Sequence, residues 1–279
     1  MKRYLFDIRY GGMGDAMVAY WIAEGAQGKH LVRINSGRYR ELTATFAFRE
    51  PEDDYAPTNV VAVGGHTEEY RHEISQVTQN CPRTAVWQTL QDIYVAPVRP
   101  QIVVNADEAK WAADYLKQFN GKPVLLLAPF SNYATRSWPK IKFLRLCEKI
   151  TQETDYAVVT VDQFAERAVG FPNLITSITL PRLAHLIRAV DIVVGNDSGV
   201  AHLAGTVGKP TFAIMGPTHP TTVFGHIPNV VPIQISLKKV PCVGCHFSHA
   251  KGYVAACDTM CVALDMLTVD EVYTKIFHG

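Results

Sequence analysis

The sequence predicts an α/β protein whose parallel sheets are covered by helices on both faces. Three observations carry that class. Short apolar runs alternate with stretches of helical spacing, and the joints between them are short and polar. Residues 191–220 read as one complete strand, turn, helix and strand. A chain of 279 residues is also long enough for two such units, each with its own core. Two units imply a cleft between them, and ligands of open α/β sheets bind outside the carboxyl ends of the strands.

Taken in order, residues 4–8 form the first expected strand, and a glycine-rich turn at 11–15 leads to a helix over 15–24, closed by Gly25 and Gly28. Strands follow at 30–34 and 60–63, and the spacing over 85–94 suits a helix. Residues 51–57 are acidic and bounded by prolines, which marks a surface loop. A helix with Ala112, Tyr115, Leu116 and Phe119 on one face ends at Asn120-Gly121-Lys122-Pro123, where the first domain is expected to end. That division gives an amino-terminal domain over 1–120, a second domain over 121–266 and a terminal helix over 267–279.

The second half is plainer. Val124–Ala128 is a continuous apolar strand, followed by a polar loop over 129–137. Trp138-Pro139 opens a helix with Phe143, Leu146, Cys147 and Ile150 at i, i+3, i+4 and i+7. Ala157–Val161 is the next strand, and the loop or short helix after it carries Glu166. Leu183, Leu186, Ile187 and Val190 repeat the helical spacing. Thr268 and Glu271 make a capping-box pattern before Val269, Val272, Tyr273 and Ile276.

Residues 191–220 organise the rest. Ile192-Val193-Val194 reads as a buried strand stopped by Gly195-Asn196. Asp197 and Ser198 are favoured N-cap residues, and Gly199 lets a ligand approach the backbone before a helix over 200–207. Gly208-Lys209-Pro210 ends that helix, Thr211–Met215 forms a second strand, and Gly216-Pro217-Thr218-His219-Pro220 closes the unit. A helix start of this kind offers unpaired N–H groups to an anion. Asp-Ser-Gly with His202 one turn later is more than a structural crossover needs, so the stretch is read as a phosphate or sugar-phosphate site.

Composition sets limits on the rest. A formal net charge of +1 argues against binding nucleic acid through a broad basic surface. No apolar run approaches the ~20 residues of a membrane helix, and no transmembrane segment is expected. Asp7 and Arg9 interrupt any leader-like start, so a cytoplasmic protein with reduced thiols or metal-bound cysteines is expected.

Several side chains have two readings. Gly14-Asp15 lies in a turn that lacks both the GxGxxG spacing and a Walker lysine. Asp15 is either an N-cap or a carboxylate facing the cleft that can take a proton from a hydroxyl. Arg136, in the same loop as Ser131, is either solvated or paired with a diphosphate. Glu166 is a surface carboxylate or a partner for ribose hydroxyls, and His202 is a satisfied core histidine or part of the anion site. The sharpest pattern is Cys242-x2-Cys245-x11-Cys257-x3-Cys261. Two close cysteine pairs suit four thiolates around one tetrahedral ion, and the spacing does not choose between zinc and iron. His246 and His249 stand by as substitutes; Cys147 falls on an apolar helix face, and Cys81 carries no information.

Together these residues resemble glycosyltransferase family 9, the ADP-heptose:lipopolysaccharide heptosyltransferases. Asp197-Ser198-Gly199-x-x-His202-x-Ala204 followed by Gly216-Pro217-Thr218-x-Pro220 is similar to the family's D[TS]GxxHxA…GPTxP signature. Ala128-Pro129-Phe130-Ser131 through Arg136-x-Trp138-Pro139 resembles its loop with a basic residue before Trp-Pro, and Met13-Gly14-Asp15 its amino-terminal MGD. The chain departs from the pattern at Asn132-Tyr133-Ala134-Thr135, at Val200-Ala201 and at Arg136, where lysine is frequent. The four-cysteine insert is similar to that of bacterial autotransporter heptosyltransferases, in which a cysteine-bound iron is structural.

The resemblance implies a GT-B architecture and inversion at the anomeric carbon without a catalytic metal. It implies Asp15 as general base, with Arg136 and the N–H groups of Ser198 and Gly199 on the departing diphosphate. Glu166 would hold the ribose, Asp197 and His202 would line the donor pocket, and Gly14 and Ser131 would border it. The implied partners are a nucleotide-sugar donor and a glycan, lipopolysaccharide or protein acceptor, with homo-oligomers open. Two other classes compete: a nicotinamide oxidoreductase, disfavoured by the missing GxGxxG, and a non-catalytic nucleotide-sugar-binding protein.

Overall fold

In the computed structural model, which describes residues 3–8, 12–35, 39–47, 59–62, 98–245 and 260–279, two parallel sheets form. The helix expected over 85–94, the loop over 51–57, Gly11, Cys81, His246, His249 and Cys257 lie outside the described residues. In the first sheet β1 (Arg3–Asp7) lies between β2 (Leu31–Asn35) and β3 (Asn59–Ala62). The second comprises β4 (Val124–Ala128), β5 (Ala157–Val161), β6 (Leu174–Ile175), β7 (Ile192–Asn196), β8 (Thr211–Met215) and β9 (Val230–Gln234). Its order is β6-β5-β4-β7-β8-β9, and every pairing is parallel. Strand order therefore reverses between β4 and β7, which opens a crevice at their carboxyl ends.

Burial explains β4. All five residues of Val-Leu-Leu-Leu-Ala are buried, as a strand covered on both faces requires. Leu126 joins one apolar cluster while Leu125 and Leu127 join the other, following the two-residue alternation of a strand. The first cluster also takes in Tyr4, Phe6, Met17 and Tyr20, so one core runs from the first sheet into the second.

The helices are α1 (Met13–Ala26), α2 (Glu41–Thr45), α3 (Ala106–Leu116), α4 (Lys140–Glu153), α5 (Leu180–Ala189), α6 (Gly199–Val207), α7 (Pro220–Phe224), α8 (Val262–Met266) and α9 (Val269–Phe277). Helix α1 begins two residues before the expected start and passes through Gly25 instead of ending there. Residues 16–23 and Ala26 are all buried, and such tertiary burial outweighs the low helix propensity of one glycine. Strands β6 and β9 were not legible in the sequence. β6 has only two residues, and Pro232 within β9 lacks the N–H of an interior strand. β9 accordingly sits at the sheet edge, where proline is tolerated.

Two packings position the site. Helix α1 lies against α6, and α3 lies against α5. The buried His185 of α5 fixes the second contact: its Nε2 accepts from Asn105 N at 3.1 Å, and its Nδ1 bonds Pro181 O at 2.8 Å. Asn105 in turn caps α3 by accepting from the N–H groups of Asp107 and Glu108. Among the described residues no helix is long and apolar enough to cross a membrane.

Candidate functional site

The crevice at the strand reversal holds most of the expected donor-side residues. Asp197 follows β7 directly and is 2% exposed. Its Oδ2 accepts from Thr218 Oγ1 at 2.7 Å and pairs with Arg136 Nη1 at 3.6 Å. Arg136 belongs to a single 3-10 turn, Ala134–Arg136, and its guanidinium lies over the Tyr133 ring, 4.5 Å from the centroid. A buried carboxylate and a half-buried cation thus neutralise each other, with a hydroxyl taking part of the remaining acceptor capacity. Arg136 Nε is buried and makes no hydrogen bond among the described residues, and the same holds for Ser198 Oγ. Buried polar atoms of this kind are costly unless a ligand or water completes them.

Ser198 occupies the N-cap position of α6 in an extended conformation, but no side chain caps the helix. The expected capping by Asp197 is not made, because its carboxylate turns to Thr218 and Arg136. The start of α6 therefore keeps backbone N–H groups that no side chain caps, beside a cation, which suits an anion. Ser131 shapes the loop: its N–H donates to Ser137 Oγ at 3.3 Å, and its Oγ accepts from Tyr133 N at 3.5 Å.

The expected base, Asp15, lies on α1, the helix that follows β1 of the first sheet. Gly14 abuts His202 so closely that a Cβ there would stand 2.8 Å from His202 Cδ2. Gly199 meets Met13 in the same way, with 2.6 Å between a notional Cβ and Met13 Cβ. Farther along the contact, Trp21 Nε1 donates to Thr206 Oγ1 at 2.8 Å, and the Trp21 ring packs edge-on against His226. The first turn of α1, carrying Asp15, is thereby held against the first turn of α6. Asp15 Oδ2 accepts from Gly12 N at 2.8 Å, the carboxylate half of a capping box. His202 is 3% exposed and packs on Phe224 at 4.5 Å between ring centroids, so it forms part of the helix contact.

Glu166 is exposed at the start of a 3-10 turn after β5. Its neighbours are the better-anchored residues. Asp162 Oδ1 accepts from Arg167 Nε at 2.8 Å and from Phe164 N at 2.7 Å. The Arg167 guanidinium lies 4.8 Å from the Phe130 ring and 5.0 Å from the Phe164 ring. This ties the loop after β5 to the loop after β4. Asp162 and Arg167 were not singled out from the sequence, and Asn196 and Thr218 entered only as a strand stop and as part of the Gly216–Pro220 motif. Asp162-x-Phe164 at a strand end is an Asx-turn signal that could have revealed the first of them.

Three of the four metal-candidate cysteines are described. Cys242 is exposed, Cys245 and Cys261 are buried, and Cys245 N bonds Cys242 O at 3.1 Å in a turn. Cys261 Sγ fills the space beside Gly216, and Gly244 N donates to Gly216 O at 2.9 Å. Cys261 and Gly244, the residue before Cys245, thus both border the loop that carries Thr218. Among the described residues no three His, Cys, Asp or Glu side chains converge as a metal site.

The sequence model of glycosyltransferase family 9 (heptosyltransferase) matches residues 67–251, well over half of the chain. The chain belongs to glycosyltransferase family 9. This family 9 chain is 23% identical over 172 residues to lipopolysaccharide heptosyltransferase 2 of Escherichia coli (strain K12). The alignment takes in 56% of this chain and 49% of the relative, so the chain spans about half the length of that curated relative. In fold it is similar to E. coli ADP-heptose lps heptosyltransferase II, with a TM-score of 0.60 at 14% identity, covering 99% of this chain and 97% of the other. It is also similar to the iron-containing dodecameric glycosyltransferase TibC from enterotoxigenic E. coli H10407, with a TM-score of 0.65 at 18% identity over 99% and 75% of the two chains. At these identities the two structures establish a shared α/β fold.

Proposed function

We propose that this chain is an inverting glycosyltransferase of GT-B architecture. It would move a heptose-like sugar from a nucleotide-diphosphate donor such as ADP-heptose to a hydroxyl on a bacterial glycan, lipopolysaccharide or protein. The observation that carries this reading is the pairing of Arg136 with Asp197, the residue before the uncapped start of α6, where α6 packs against the helix turn that bears Asp15. Residues 1–120 would form the acceptor-side domain and 121–266 the donor-side domain, with the helix over 267–279 packed behind the latter.

In this reading Asp15, oriented by the Gly12 N–H, takes the proton from the acceptor hydroxyl. The hydroxyl oxygen forms its bond to the anomeric carbon as the bond to the diphosphate breaks, and charge grows on the leaving oxygen. Arg136 and the N–H groups of Ser198 and Gly199 receive that charge, having been set in place before the reaction. Asp197, itself bonded by Thr218, holds Arg136, while Gly14 and His202 set the distance between base and donor. Glu166 takes the ribose hydroxyls, and Ser131 shapes the loop that borders the phosphates.

Cys242, Cys245, Cys257 and Cys261 are assigned to one structural zinc or iron ion. Four thiolates fill a tetrahedral site and leave no open position for chemistry. The burial of Cys245 and Cys261, with Cys261 Sγ and Gly244 both against Gly216, supports this, since an ion there would brace the loop of Thr218. Reduced thiols fit a cytoplasmic enzyme.

The test is release of nucleoside diphosphate from the full chain given ADP-heptose, with and without an acceptor glycan. Acceptor-dependent release of ADP supports transfer. Binding of the donor without any release favours the second reading, a nucleotide-sugar-binding protein, for which Asp15 serves only as the cap of α1. Failure to bind any nucleotide sugar sinks both.

A further inference from the structure

Asn196 is the last residue of β7, 0% exposed, and neighbours Asp197. Its Oδ1 accepts from Trp138 N at 2.9 Å, and its Nδ2 donates to Pro129 O at 2.6 Å. Pro129 and Trp138 are the two mouths of the loop that carries Ser131, Tyr133 and Arg136. One carboxamide therefore satisfies a buried backbone group at each end of that loop. A carboxamide carries its donor and its acceptor on separate atoms of one short planar group, so it can serve both mouths at once, and glutamine is longer by one methylene. Leaving either group unpaired in a site closed to water is costly, so the loop has one favoured closure. The far mouth is anchored again by the Trp138 indole, which is 1% exposed and donates to Leu267 O at 3.0 Å. Between the mouths, Ser131 N donates to Ser137 Oγ at 3.3 Å, Arg136 N donates to Tyr133 O at 3.0 Å, and Arg136 reaches Asp197 at 3.6 Å.

We propose that Asn196 is a positioning residue whose carboxamide closes the loop over residues 129–138 and thereby sets Arg136 beside Asp197 and the start of α6. This rests on the reading of Arg136 as the partner of the donor diphosphate. Asn196 touches no reacting atom; it acts through Arg136. The site can hold the diphosphate only if the guanidinium stands where Asp197 and Thr218 leave it, and the loop mouths determine that position.

A double-mutant cycle on the full chain tests this. ADP, UDP and GDP are titrated calorimetrically into the unaltered protein, and the tightest is carried into Asn196→Ala, Arg136→Ala and the double variant. If Asn196 acts through Arg136, Asn196→Ala alone weakens binding about tenfold, yet changes it by less than about twofold once Arg136 is alanine. A general loss of structure would instead give additive losses, and additivity overturns the proposal. Hydrogen exchange at the Trp138 amide checks the clamp without any ligand. It should quicken about tenfold or more in Asn196→Ala, where the Trp138 amide loses its side-chain acceptor. Unchanged exchange in Asn196→Ala overturns the clamp even where the nucleotide binds. If the unaltered chain binds none of the three nucleotides, the glycosyltransferase reading falls, and the positioning role falls with it.

Discussion

Gly14 on α1 and His202 on α6 belong to helices that follow strands of different sheets, yet they approach as closely as backbone and ring allow: a single added carbon on Gly14 would lie 2.8 Å from His202 Cδ2. His202 has no room to retreat, because it is 3% exposed and packs on Phe224. Gly14→Ala should therefore wedge α1 away from α6, at a cost of about 1–3 kcal/mol typical of overpacking. A chain of this size should lose about 2–4 °C in melting temperature per kcal/mol. Turnover should fall as well, since Asp15 moves with the helix. Thermal unfolding beside steady-state kinetics checks both, and an unshifted melting curve would contradict the contact.

Asp15 has two possible roles that one substitution separates. In Asp15→Asn the side-chain oxygen can still accept from Gly12 N, so the cap of α1 survives and stability should hardly change. The amide cannot take a proton from a hydroxyl, and turnover should drop by about 10²–10⁴-fold with donor affinity retained. Near-normal turnover in a stable variant would leave Asp15 as a cap alone.

Arg136→Ala removes a charge-assisted partner of the diphosphate, and such bonds contribute about 1.5–3 kcal/mol, so nucleotide affinity should fall roughly 10- to 100-fold. Asp197 would keep only Thr218, leaving a buried carboxylate without its cation, and stability should fall too. Arg136→Lys should recover part of the charge but not the planar fork that can meet Asp197 and a phosphate together. Calorimetric titration with ADP distinguishes the three proteins. Equal affinity in all of them would place the phosphates elsewhere.

How far these parts could be read in advance depended on where their cause lies along the chain. β7, α6 and β8 were legible because each is a short apolar or helical run bounded by residues that stop it locally: Gly195-Asn196, Gly208-Lys209-Pro210 and Gly216-Pro217. Ser198 at the N-cap followed from the same local logic. The role of Asn196 did not, since its partners Trp138 and Pro129 lie 58 and 67 residues away, and only the pairing of β4 with β7 brings them together. Asp197 shows the limit of a propensity argument. An Asp before a helix reads as a cap, but here burial beside Arg136 and Thr218 wins its carboxylate. β9 was hidden by Pro232, which is legible as strand only once the edge position is known.

Metal analysis of the chain purified without added metal should give about one zinc or iron per molecule if the four cysteines ligate together. Cys242→Ser with Cys245→Ser should abolish it and lower the melting temperature. The nearby Gly216–Gly244 hydrogen bond and the packing of Cys261 on Gly216 mean that the Thr218 loop loosens with it. Activity should then decline without a change in the protonation behaviour of the base. A metal-free protein of undiminished stability would refute the assignment.

The terminal helix α9 carries a dependence on acid whose sign can be worked out. Glu271 bonds Lys239 Nζ at 2.6 Å and accepts from Thr268 N at 2.9 Å. Chiefly through Lys239, and next through the Thr268 backbone, its carboxyl is held at about 2, below the ordinary 4.5. A depressed value in the folded state means that the stabilisation is fully present above pH 4.5 and drains away as pH falls towards 2. Glu271→Gln should flatten that part of the stability profile, because glutamine can complete a capping box but carries no charge for Lys239. The effect should be smaller than the shift alone implies, since the side chain is 33% exposed and solvent screens the pair. Thr268→Ala removes the other half of the box at every pH, at a cost of about 1 kcal/mol. Val272 and Tyr273 are buried against the second core, so both changes should register in the melting of the whole second sheet. Melting curves followed by circular dichroism from pH 6 to pH 2 (about the span of the titration) separate the two variants. Parallel acid profiles for Glu271→Gln and the unaltered chain would show that the Lys239 pair contributes nothing to folding.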